Sequence, residues 1–164
     1  MRWIRTRLVL VVALVALGVA FPAQALDQPQ VVRLVDVEEQ FTPLDNFDFE
    51  RTPPAAGDRF AFVDGLYKWA GTKRGARVGG LRGICTFTTV DFPRSVFAYC
   101  VAQVELAGGK ILISGFPRFT EGPGSFDVIV GGGTGTYQGV RGSATIRDLG
   151  GGNGNSALTL HLQP

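Results

Sequence analysis

Residues 126–142 read Phe126-Asp127-Val128-Ile129-Val130-Gly131-Gly132-Gly133-Thr134-Gly135-Thr136-Tyr137-Gln138-Gly139-Val140-Arg141-Gly142. A β-branched apolar run enters a glycine cluster, and a second run, residues 140–148, leaves it. A nucleotide fingerprint would need a third glycine where Thr136 stands, a helix after the loop, or a Gly-Lys-Ser/Thr triplet. None is present. The stretch therefore reads as strand, tight turn, strand, with glycine where the backbone bends and packs closely.

Working outward, no segment after residue 26 carries a helical apolar period. Short β-branched and aromatic runs recur instead, separated by Gly, Pro or Asp clusters. They predict eight strands, over residues 33–41, 58–66, 76–90, 95–106, 110–116, 125–131, 140–148 and 155–162. Short strands at even spacing predict a sandwich or a closed barrel. Ala107-Gly108-Gly109 and Gly150-Gly151-Gly152-Asn153-Gly154 read as hairpin turns. Residues 42–57, with Pro43, Pro53 and Pro54, form one long acidic loop, a kind that is functional or simply mobile.

Two cysteines fix a register. If Cys85 faces Cys100, Thr86 faces Tyr99, Phe87 faces Ala98 and Val90 faces Ser95, leaving Asp91-Phe92-Pro93-Arg94 as a four-residue loop. Val96, Ala98, Cys100, Ala102, Val104 and Leu106 then share the buried face. Facing Cα atoms about 4.5–5.5 Å apart can carry a disulfide. A functional thiol at Cys85 is the alternative.

The amino terminus bears on that choice. Arg2, Arg5 and Arg7 precede an uncharged run from Leu8 to Ala20, and Ala23-Gln24-Ala25 is a small-x-small cleavage site. This is the pattern of a signal peptide over residues 1–25 and predicts a secreted protein with no membrane segment after cleavage. Residues 26–32 read as a short linker and 33–164 as the folded domain. Cleavage removes three of 16 basic residues and none of 14 acidic ones, leaving a charge of −1 and no electrostatic footprint for nucleic acid. One histidine and two cysteines supply neither a His/Cys zinc site nor an iron–sulfur cluster, so no metal is expected. Export also permits the disulfide. No Gly-x-Ser-x-Gly elbow supports a serine hydrolase.

Phe126–Val130 followed by Gly132, Gly133, Thr134, Gly135, Tyr137, Gly139, Arg141 and Gly142 resembles the most characteristic motif of the dirigent and allene oxide cyclase superfamily. Gly57-Asp58 followed by Phe62 to Tyr67 resembles the cyclase segment that opens with Gly-Asp and closes with Leu-Tyr. Val78-Gly79 with Gly83-Ile84-Cys85 resembles its Gly-Leu-Cys stretch, and residues 109–115 resemble the next strand. The likeness spans residues 33–148.

The resemblance implies an all-β, eight-stranded antiparallel β-barrel, often a homotrimer, with an elongated cavity for a small apolar molecule and no cofactor. Plant allene oxide cyclases direct ring closure of a fatty-acid epoxide there, and dirigent proteins steer reactive intermediates. In the plant enzymes a first-strand glutamate acts with two asparagines; the matching positions here are Asp36, Glu38 and Asp64. Asp36 and Glu38 share a strand face. Three like charges in a dry cavity would raise at least one pKa and create a general acid. The alternatives are a solvated face for Asp36 and Glu38 and a turn or bulge role for Asp64. Phe60, Phe62, Tyr67, Tyr99 and Cys85 are the expected ligand contacts, and Arg141 is expected to pair with carbonyls or a carboxylate at the rim. His161, between Leu160 and Leu162, reads as structural. An isomerase or cyclase, a non-catalytic binding protein and a structural barrel all fit the chain. An open cavity with the acids pointing inward favours the first, outward acids favour the second, and a plug of Phe side chains favours the third.

Overall fold

The computed structural model describes residues 25–70, 73–91, 95–119, 124–150 and 154–164. The expected leader lies outside them except for Ala25, as do the hairpin tip at 92–94 and the glycines at 151 and 152. Described strands are β1 (Gln30–Pro43), β2 (Arg59–Ala70), β3 (Lys73–Asp91), β4 (Ser95–Leu106), β5 (Gly109–Gly115), β6 (Arg118–Phe119), β7 (Ser125–Gly133), β8 (Arg141–Asp148) and β9 (Asn155–Gln163). All pairings among them are antiparallel. Eight close into a ring in the order β1-β2-β3-β4-β5-β7-β8-β9, and β6 adds two residues beside the start of β4. The protein is an eight-stranded antiparallel β-barrel.

The predicted strands are all present, with shifted ends. β1 begins at Gln30, inside the segment read as a linker. The β2–β3 hairpin is longer than predicted, because Lys68, Trp69, Arg74 and Arg77 are exposed and leave no alternation to read. The cysteine register holds from Gly79↔Leu106 to Phe87↔Ala98. Thr88 is then an extra residue, so Val90 faces Val96 rather than Ser95, and Asp91 joins the ladder opposite Ser95 instead of starting a four-residue loop.

Alternation divides each strand between interior and outer wall. The lower half of the interior, toward the β4–β5 turn, is filled by an aliphatic core that includes Leu66, Val104, Ile111, Ala144, Leu158 and Leu160. The glycine-rich motif closes this end. Its turn contains a short 3-10 helix, Gly135–Tyr137, and is held by Thr134 N–H to Lys110 O at 2.8 Å and Thr136 N–H to Gly108 O at 2.8 Å. Gly132 and Gly133, read as part of the turn, complete β7 instead. Arg141 is exposed and makes no hydrogen bond or ion pair among the described residues, because its strand position points outward at the end of β8.

Gly142 sits at φ +141°, and a Cβ there would run into the His161 carbonyl of β9. Gly142→Ala is therefore expected to cost ~1–3 kcal/mol through backbone strain and loss of close strand approach. Urea denaturation checks this, and an unchanged midpoint would refute it.

Candidate functional site

The upper half of the barrel holds a second packed cluster, Phe47, Phe60, Cys85, Phe87, Val96 and Ala98, beside a space that opens to solvent. A cavity of about 830 Å³ lies above the aliphatic core. Its walls come from inward positions: Phe41 of β1, Phe60 and Phe62 of β2, Cys85 and Phe87 of β3, Val96 and Ala102 of β4, Phe126 and Val128 of β7 and Ile146 of β8. Exposed Glu38, Phe49, Phe119 and Asp148 also line it, so it opens to solvent at the upper end.

The long loop after β1 is folded over this end. Arg59 donates to Asp45 from its side chain, Nε to Oδ2 at 3.1 Å, and from its backbone N–H at 2.9 Å. The guanidinium holds the Asp45 carboxyl below its usual range. Thus anchored, the loop buries Phe47 against Phe87, with ring centroids 5.4 Å apart, and places Phe49 on the cavity. Phe41 stacks on Phe60 at 4.9 Å. Phe41, Phe49, Phe60 and Phe87 line the cavity, while Phe47 is buried in the aromatic cluster without lining it.

Asp36 and Asp64 point into the cavity, each only 7% exposed. Register explains their meeting. Asp64 faces Glu38 across β1–β2, while Asp36, two residues back on the same face, lies on the diagonal opposite Leu66. Ser156 of β9 stands beside Asp36. Glu39 is then an extra residue in β1, a bulge that flips the alternation so that Phe41 rather than Gln40 faces inward. The Glu39 carboxylate leaves on the outer side and pairs with Arg77, Oε1 to Nη1 at 2.7 Å. Asp64 is therefore an ordinary strand residue, and the bulge lies in its partner.

Burial pushes the Asp36 carboxyl up to about 8, helped by the neighbouring Asp64 and Glu38 charges and by a hydrogen bond to Asp64. Burial also raises Asp64, to about 7, with the Glu38 charge adding to it, while accepting the Asp36 hydrogen bond acts against the rise. Burial and mutual repulsion thus hold both carboxyls well above the ordinary carboxylate range. Asp36 Oδ1 is buried and has no hydrogen-bond partner. Glu38, at the rim, is exposed. Among the described residues no group of His, Cys, Asp and Glu is placed to hold a metal ion.

Phe60, Phe62 and Cys85 line the cavity, and Cys85 does so as half of the Cys85–Cys100 disulfide rather than as a thiol. Tyr67 and Tyr99 do not. Tyr67 lies outside β2 beneath the Arg74 guanidinium, 4.4 Å from its ring centroid, and Tyr99 lies outside β4 against Phe116 at 4.9 Å. The alternation that turns Ala98 and Cys100 inward necessarily turns Tyr99 outward. His161 is also on the outer wall, near Arg33 and Trp69. Sequence reasoning missed Phe41, which needs the bulge, and Phe47 and Phe49, which need the loop to fold back.

No family profile and no curated protein matches the sequence. Solved structures do. Over 82% of this chain and all of theirs, the barrel superposes on a pyocyanin demethylase with a TM-score of 0.64 and 25% identity. The fold of a pterocarpan synthase dirigent protein matches with a TM-score of 0.63 and 16% identity, over 83% of this chain and 94% of that one. An exo-specific intermolecular Diels–Alderase, AbnU, matches at 0.58 and 17%, over 82% and 97%. The chain shares its barrel fold with these three proteins. The likeness is to that barrel, whereas the allene oxide cyclase reaction remains an implication of the motif.

Proposed function

We propose that the upper half of the barrel binds a small, largely apolar molecule and holds it in one conformation while Asp36 and Asp64 move a proton, directing a cyclisation or the stereochemistry of a coupling. The observation that carries this reading is the pair of buried carboxyls facing into an otherwise aromatic and aliphatic cavity. The cavity volume suits a drug-sized molecule. Confinement supplies orientation, and the pair supplies an acid beside a base. In an isomerisation Asp36 gives its proton to a substrate oxygen while Asp64 takes one from a substrate carbon. The pair then carries the same number of protons as before, and no external oxidant or reductant enters. The likeness to barrels named as Diels–Alderase and pterocarpan synthase supports such steering. The expected leader and the disulfide support an extracellular site of action.

The test is a native mass spectrum of the protein purified from its own culture, followed by incubation with whatever it releases. An added mass of about a few hundred daltons per subunit, on the scale of a cavity ligand, and turnover of that molecule are expected. A bare subunit that also fails to take up an uncharged apolar dye would overturn the reading. The same spectrum counts subunits. Three are expected, and the exposed Ile84 of β3, Val101 of β4 and Ile129 of β7, with Ser114 of β5 between the last two, support self-association.

A further inference from the structure

The cavity is chemically lopsided. Its walls are rich in phenylalanine, and its ionisable lining is acidic: Asp36, Asp64, Glu38 and Asp148 against Arg118 alone among the described residues. Arg118 is engaged at the rim, donating to Ser95 at 3.3 Å and lying over the Phe97 ring at 5.7 Å. Around the pair, β1 contributes Glu38 and the bulged Glu39, whose charge is paired with Arg77 of β3 outside; β2 contributes Leu66, β3 Leu81 and β9 Ser156. No cation on these elements faces the two carboxyls among the described residues. An unpartnered acceptor this deeply buried is costly unless a bound group donates to it, and Asp36 Oδ1 is such an acceptor. A plain hydrocarbon would leave it unsatisfied. A carboxylate or phosphate would add a like charge to an acidic cavity.

We propose that the ligand is an aromatic amine or nitrogen heterocycle, cationic or basic, with its ring among the phenylalanines and an N–H on Asp36 Oδ1. This inference rests on the cavity reading above and narrows its substrate class. A cation satisfies the orphan oxygen and gains attraction from the carboxyl pair and from the rings of Phe60, Phe62 and Phe87. An anionic fatty acid is selected against.

Three fluorescent three-ring dyes titrated into the full-length protein test the inference: cationic 9-aminoacridine, neutral acridone and anionic anthracene-9-carboxylate. The expected order is cation, neutral, anion, with the cation ~10- to 100-fold tighter than the neutral dye, as a charged hydrogen bond implies. That advantage should disappear in Asp36→Asn. It should also grow as pH rises through the range in which the pair ionises, about 7 to 8. Equal binding of the three dyes, or preference for the anion, would overturn the charge selectivity and leave the apolar cavity standing. Binding of none would overturn the cavity reading and this inference with it.

Discussion

Asp36→Asn is expected to abolish turnover and, at neutral and alkaline pH, to raise the melting temperature. The two effects share one cause. Asp36 is held near 8 in the folded chain against an ordinary value of 3.8, mainly by burial, so between these values the folded state binds a proton that the unfolded state has released. Stability linked to that proton is fully present on the acid side, below the unfolded value, and is lost as pH rises toward the folded one. The asparagine side chain cannot ionise and still offers an N–H to Asp64. Melting curves of variant and wild type should therefore coincide near pH 4 and diverge by roughly 5–10 °C at pH 8, where only the wild type must bury a carboxylate charge. Parallel curves across pH would refute the burial account. Removing the acid should also cost ~10²- to 10⁴-fold in rate on the molecule the protein releases, the usual worth of general acid–base catalysis. Unchanged turnover would exclude Asp36 from the chemistry.

The second large effect concerns the Cys85–Cys100 bond. It joins directly facing residues of β3 and β4, closes a sequence separation of 15, and forms part of the cavity wall. Replacing both cysteines by alanine is expected to cost ~2–4 kcal/mol, read as a lower urea midpoint. The native protein should take up no iodoacetamide until it is unfolded and reduced, because no described cysteine is free. Labelling of the native, unreduced protein would contradict the bond.

Both expectations rest on residues that the sequence placed unequally well. The cysteine register was legible because strand alternation and two cysteines on one face leave few ways to pair β3 with β4. The barrel was legible in the glycine motif, whose close contacts, such as Gly142 against β9, tolerate no side chain. Asp36 and Asp64 were legible as candidates through the resemblance to the plant cyclases, but their burial was not, since alternation alone does not say which face of β1 is inside. Single-residue insertions at Thr88 and Glu39 were invisible. A bulge changes parity without changing composition, and so Val90 and Phe41 could not be placed. Tyr67 and Tyr99 were proposed for their chemistry, and the pleat turns both outward.

The division of the interior into a filled lower half and an upper half with an open cavity has an evolutionary consequence. Leu66, Val104, Ile111, Leu158 and Leu160, which no solvent reaches, belong to the aliphatic core. Phe41, Phe49, Phe62 and Phe126, part of the wall that decides what fits above, are only partly buried or exposed, whereas Phe60 and Phe87 beside them are buried. Changes of specificity can therefore accumulate at positions where substitution is thermodynamically cheap, while the foundation that keeps the ring closed stays constant. A lineage of such barrels can exchange substrates by rewriting one storey of the building and never touching the other.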